Sequence, residues 1–321
     1  MLKPMQMQDN LANRERRAAS LSLMVGVLLS IIKFGAYIMT GSAVVFSDAL
    51  ESIVNVLASG FALYAIILAH TPADRDHPYG HGKIEFLAAG FEGGMIVFAA
   101  LIILWEAVQK LMQRHGVNKL GLGLLLIAAT GMVNGITGFY LIRMGRRSGS
   151  ITLEADGKHL LTDFVTTMVV LASLGLIWLS GLNWIDPVAA ILIAVYLFWT
   201  AKGLLRHSAA GLMDEQDRDD DSRIRRILDS HLAPAGKSPQ ICSYHKLRHR
   251  HSGRYHWIDF HIMVPAHWNI QQSHNVASAI EYEIELALGE GNATAHVEPC
   301  QDSDCPAFDA PELKIATHGS G

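Results

Sequence analysis

Half of the 321 residues are hydrophobic, mean hydropathy is positive, and the apolar residues fall in long blocks rather than at amphipathic spacing. That pattern marks an integral membrane protein. The formal net charge of -4 comes without any long or aromatic-rich basic stretch, which argues against nucleic acid as a partner.

In chain order, residues 1–17 read as a cytosolic lead, the chain up to about Ser20 ending in the polar segment DNLANRERRAAS, and the first twenty residues carry no cleavable signal pattern. Six candidate spans follow within residues 18–208, near Ala19 to Met39, Ala43 to Ala69, Phe86 to Met112, Leu120 to Ile142, Leu160 to Leu182 and Pro187 to Leu205. Arg14, Arg16, Arg17, Arg75, Lys83, Arg143, Arg146 and Arg147 all lie on the side of the amino terminus, whereas the opposite connections TGS and SGLNW carry no cation. The positive-inside rule then puts both termini in the cytosol. Lys110, Arg114 and Lys119 dissent from that topology.

Ionisable residues inside spans are functional-site hypotheses by default. The second span carries Asp48, Glu51 and Asn55, and the fifth opens with EADGKHLLTD, containing His159 and Asp163. Glu51 and Asn55 share the four-residue spacing of His159 and Asp163, so each pair projects from one helical face. Either pair alone could be a buried polar contact that fixes helix packing. Two matched pairs predict a shared ion site with three oxygens and one imidazole nitrogen, a set that suits a small divalent transition metal. Asp48 is a competing ligand or a helix-start residue. Lys33 reads as a packing or snorkelling lysine, and Glu92, beside Gly93 and Gly94, either lines a pathway or pairs with Lys33. Between the second and third spans, Asp74, His77 and His81 are spaced for metal ligation in a loop that Pro78 and Gly80 keep from being helical.

After Leu212 the composition turns polar and histidine-rich. The predicted order is helix, strand, strand, helix, strand, a small α+β unit of ferredoxin-like order occupying residues 209–300, with residues 301–321 as a disordered tail. His296 and Glu298, two apart on the last strand, point to one side. His245, His249, His251, His256, His261, His267, His274 and His296 crowd this unit; the HRH stretch around His249 and His251 is expected to belong to the plain surface. Cys242, Cys300 and Cys305, an odd set confined to this part, argue against a disulfide framework and fit a reducing compartment.

These residues together resemble the cation diffusion facilitator family of divalent-metal transporters, over about Arg17 to Cys300. The marks are TGS before the second span, DxxHPYGHGKxE at Asp74 to Glu85, and AD-x-x-H-x-x-x-D at Ala155 to Asp163. The resemblance is to bacterial zinc/iron-type members and implies a homodimer in the bacterial inner membrane. It implies a transport site at Glu51, Asn55, His159 and Asp163, and a loop site at Asp74, His77 and His81. A cytosolic dimer-interface cluster would comprise His245, His261, His274, His296 and Glu298. Family members of the zinc type usually offer His and Asp on the second span, and zinc/iron types two Asp. Glu51 and Asn55 keep the ligand charge at minus two with a harder donor set, which leans toward manganese or iron relative to zinc, although the stability order favours zinc.

The expected activity is export of zinc, iron or manganese in exchange for protons, with divalent metal also structural in the cytosolic unit and no prosthetic cofactor. The competing reading is a non-transporting metal sensor or scaffold. A membrane metallohydrolase is disfavoured because HExxH is absent, and GHGKIE is no phosphate-binding loop.

Overall fold

The computed structural model describes residues 4–40, 43–113, 122–180 and 184–300. The side chains of Asp48 and Glu51, the TGS and SGLNW connections, the Arg114 to Lys119 stretch, Cys305 and the predicted tail lie wholly or in part outside what is described. The chain divides into two compact units, Met1–Leu212 and Met213–Gly321.

The first unit is a bundle of six helices: α1 (Pro4–Thr40), α2 (Ala43–Ala69), α3 (Ile84–Gln113), α4 (Leu122–Ser148), α5 (Ile151–Ser180) and α6 (Ile185–Leu212). Each exceeds the ~20 residues a bilayer requires. Among the described residues, Leu11–Gly35, Ile84–Gln109 and Pro187–Leu212 are long and apolar enough to cross a membrane. Large apolar side chains such as Met24, Ile31, Leu57, Trp105, Leu125 and Trp199 are exposed. Ser22, Ser52, Asn55, Ser59, Glu92, Asn134, Asp156, His159 and Thr162 are buried. An apolar exterior around a polar interior is stable against lipid and unstable in water, so this unit is a membrane domain. The polar lead is no separate element, because α1 runs through it, and its Glu15 is buried with Oε2 3.0 Å from His70 Nε2 at the end of α2.

Small residues decide which helices meet. α4 lies against α5 at backbone distance: a Cβ added at Gly157 would stand 2.7 Å from the Ile142 amide nitrogen and 2.8 Å from the Gly138 carbonyl. That close approach needs glycine on both helices. Ala89, Ala100, Ala155 and Ala201 similarly let α3, α5 and α6 close around Ile96, Ile193 and Leu197.

The second unit contains α7 (Arg218–Asp229), β1 (Ser243–Ser252), β2 (Tyr255–Pro265), α8 (Ile270–Leu288) and β3 (Gly291–Cys300), the α-β-β-α-β order the sequence predicts. Asp217 caps α7, its side chain accepting from the Asp219 and Asp220 amides, and Asn269 with Gln272 forms a capping box at α8. β2 is the central strand, antiparallel to β1 and parallel to β3. Its alternation buries Ile258, Phe260, Ile262 and Val264 against Ile224 and Leu228 of α7 and Val276, Ile280 and Ile284 of α8. His261 and Met263 take the opposite face.

Candidate metal centres

Helices α2 and α5 face each other and bring Asn55, His159 and Asp163 into contact. Asn55 Nδ2 donates to Asp163 Oδ2 at 2.6 Å, and His159 Nε2 donates to Asn55 Oδ1 at 2.9 Å. Asn55 and His159 are 7 % and 4 % exposed, so the three donors converge in the interior and away from lipid. Glu51 lies one helical turn before Asn55 on α2, with its side chain outside the described residues.

Two further carboxylates border this group. Glu92 on α3 is 1 % exposed and places Oε2 3.8 Å from His159 Nδ1, and neither of its oxygens has a hydrogen-bond partner. Asp156 on α5 is fully buried and accepts from Ser59 Oγ of α2 at 3.0 Å; Ser59 in turn meets Ser22 of α1 at 3.2 Å. Sequence reading left both out of the site. Asp156 was legible as one turn of α5 before His159, whereas Glu92 needed the packing of α3 on α5 to be known. Glu85, the last residue of the loop motif, accepts from Ser150 Oγ at 2.8 Å and from the Thr152 amide at 3.4 Å. It thereby satisfies the first turn of the helix that carries His159.

The loop between α2 and α3 brings Asp74, His77 and His81 together, their ligand atoms within 4.8 Å of one another. Asp74 Oδ1 accepts from the Asp76 and His77 amides at 3.0 and 2.6 Å and meets His77 Nδ1 at 3.2 Å; His81 Nε2 lies 3.5 Å from Asp74 Oδ2. The His77 amide holds the Asp74 carboxyl below its usual range, keeping it in the ionised form that binds cations. Gly80, at φ +77°, supplies the left-handed turn between the two imidazoles.

On the sheet of the second unit, strand register builds the row. His245 pairs with His261 across β1 and β2, and His261 pairs with His296 across β2 and β3. Glu298 Oε1 accepts from His261 Nδ1 at 2.7 Å, Oε2 lies 3.2 Å from His245 Nε2, and His296 Nε2 stands 3.8 Å from Oε1. The bond from His261 holds the Glu298 carboxyl below its ordinary range. His274, exposed on α8, is not part of this group among the described residues.

Comparison with known proteins agrees with this division into a membrane and a second unit. The model of the cation efflux transmembrane domain matches residues 19–213, and that of the cation efflux protein cytoplasmic domain matches residues 219–300. An uncharacterized transporter of Synechocystis sp. is 36% identical over 291 residues, covering 91% of this chain and 92% of that relative.

The chain belongs to the cation efflux family, the cation diffusion facilitators.

The cation-efflux pump FieF of Shewanella oneidensis is 29% identical over 289 residues, 88% of this chain and 94% of the pump. FieF of Escherichia coli is 27% identical over 284 residues, 88% and 92% of the two chains. This membership makes the chain an integral multi-pass transporter-family protein whose second unit is cytoplasmic.

Two expectations require correction within that unit. His249 and His251 are not plain surface residues: His249 is 3 % exposed, and the ligand atoms of Asp220, His249 and His251 lie within 4.8 Å of one another. The cause is a bulge between His245 and Arg248, with Lys246 at φ +51°. An extra residue in a strand reverses the faces of everything after it. His245 therefore shares the open face with His261, while His249 and His251 pair with Ile258 and His256 on the helix-facing side. Burial and the neighbouring His251 lower His249 and push His256 down to about 4, so both rings are neutral at physiological pH. The second correction concerns sulfur. Cys242 is disulfide-bonded, and Cys300 is buried. An odd count guarantees one leftover cysteine but says nothing against a single bridge.

Proposed function

We propose that this cation efflux protein exports a divalent transition-metal ion of the zinc, iron or manganese class from the cytosol in exchange for protons. The observation that carries the reading is the buried contact of Asn55, His159 and Asp163 between α2 and α5, with Glu92 at its edge. Without metal these groups satisfy one another, Asn55 bridging the imidazole and the carboxylate. A dication entering here takes the place of that bridge and requires His159 Nε2 to present a lone pair where it now donates a proton; a neutral ring does this by moving the proton to Nδ1, on the side of Glu92, and the protons released to solvent are those that a charged His159 or the neighbouring carboxyls held before the ion arrived. Ionised carboxylates inside a span cost about 2.5–3.5 kcal/mol each on insertion scales. Glu92, Asp156 and Asp163 therefore need positive charge whenever the metal leaves, and protons are the available carrier. The similarity to FieF cation-efflux pumps supports the direction of transport.

The same reading takes both termini as cytosolic and the working unit as a homodimer in the bacterial inner membrane. The loop group at Asp74 and the row at Glu298 bind further ions that stabilise the unit. The competing reading, a metal-binding sensor that transports nothing, draws on Asn55, whose two hydrogen bonds are what a purely structural bridge would make. Flux and metal binding measured separately discriminate the two. In proteoliposomes, Asp163→Ala is expected to abolish flux across a panel of zinc, iron, manganese, cobalt, nickel and cadmium, while His267→Ala leaves it intact. Collapse of an imposed pH gradient is expected to slow export. Normal flux with Asp163→Ala ends the site assignment, and indifference to the gradient indicates uniport.

A further inference from the structure

The face of the cytosolic sheet that packs on α7 carries a cluster separate from the His245, His261 and Glu298 row on the other face. The bulge in β1 turns His249 and His251 inward, register sets His256 opposite His251, and the first turn of α7 delivers Asp220. His251 Nε2 and His256 Nδ1 stand 3.3 and 3.5 Å from the same oxygen, Asp220 Oδ2, and their ring centroids are 4.4 Å apart. Neither approach has hydrogen-bond geometry: His251 Nε2, His256 Nδ1 and His249 Nδ1 are all buried without a hydrogen-bond partner. The other nitrogen of His249 accepts a long bond, 3.2 Å, from the Asp217 amide.

Buried polar atoms left in this condition demand an explanation, and a bound ion is a standard one. The spacing identifies the kind of ion. Ligands at ~2.0–2.2 Å from a tetrahedral zinc stand roughly 3.3–3.5 Å from one another, which the two distances to Asp220 match. The ligand atoms of Asp220, His249 and His251 lie within 4.8 Å of one another, and His256, 3.5 Å from the shared Asp220 oxygen, offers the fourth donor of a tetrahedral set. Asp217, Asp219 and Asp221 flank it and add negative charge.

We propose that Asp220, His249, His251 and His256 bind a zinc-class divalent ion that fastens the first turn of α7 to the β1–β2 hairpin. The site lies wholly within the cytosolic unit and does not rest on the transport reading. It makes the position of α7, the first helix to follow α6 in the chain, depend on metal.

The test uses the full-length protein in detergent, stripped with chelator and reloaded with cobalt(II), whose tetrahedral complexes absorb strongly in the visible. In the background H245Q/H261Q/D74N/D163N, which removes the other candidate centres, the tetrahedral band is expected to persist. Adding His251→Gln or Asp220→Asn is expected to remove it, with elution on size exclusion unchanged. No band in the background, or a band that survives both additions, overturns the site. Hydrogen exchange on the unsubstituted protein guards against misfolding of the variants: zinc is expected to slow amides of Asp217 to Asp221 together with those of Arg250 to Tyr255. Unchanged exchange in both segments overturns the clasp.

Discussion

Glu92 shows how one side chain can hold two roles open. Its carboxyl is buried beside His159 with no hydrogen-bond partner on either oxygen, so it can join the ion or receive a proton when the ion departs. Glu92→Gln keeps the shape and removes the titration. Gradient-driven flux is expected to fall at least about tenfold, the equivalent of one lost charge-assisted interaction, with Glu92→Asp restoring part of it. Flux in Glu92→Gln equal to wild type would remove Glu92 from the mechanism. His256 permits a prediction of a different kind. Its folded pKa of about 4 lies below the ordinary 6.5, so between those values the unfolded chain binds more protons. The stability tied to this ring is complete above pH 6.5 and drains away as pH falls toward 4. Chelator-treated protein should melt at a constant temperature above neutrality and at progressively lower temperature across that window; a flat profile down to pH 4 contradicts the assigned burial.

At the scale of elements, the glycine contact between α4 and α5 matters most, because α5 carries Asp156, His159 and Asp163. A methyl at Gly157 meets backbone atoms of Ile142 and Gly138, which cannot rotate aside as a side chain would. Gly157→Ala is expected to force the helices apart at a cost of about 1–3 kcal/mol, lowering the melting temperature followed by tryptophan fluorescence and reducing flux. Gly35→Ala, where the added atom meets nothing within 4 Å, is the control. The bulge in β1 has comparable leverage on the cytosolic unit. One extra residue separates the histidines of a single strand onto two faces, His245 on one and His249 and His251 on the other.

For the molecule as a whole, membership in the cation efflux family and a cytosolic row of His245, His261 and Glu298 on the face left open by α7 and α8 favour metal-linked association of two copies. Glu298→Ala removes the carboxylate that His245, His261 and His296 approach. Light scattering on size exclusion should show zinc shifting the wild-type protein toward the dimer and having less effect on the variant. Equal dimer fractions in both would make the row irrelevant to assembly.

Local chemistry alone determined much of this protein. Block hydropathy located the long helices, turn residues and period-two alternation gave the α-β-β-α-β order, and i, i+4 spacing put His159 and Asp163 on one face of α5, since each depends only on backbone geometry over a few residues. Tertiary structure decided what no short window contains. Which helix packs against α5 brought Glu92 to His159, cross-strand register aligned His245, His261 and His296, and a left-handed Lys246 turned His249 and His251 inward. Alternation along a strand fixes faces only relative to a starting residue, and a single inserted position reverses them. Contacts between distant segments depend on how the whole chain packs, and that is where these residues acquire their neighbours.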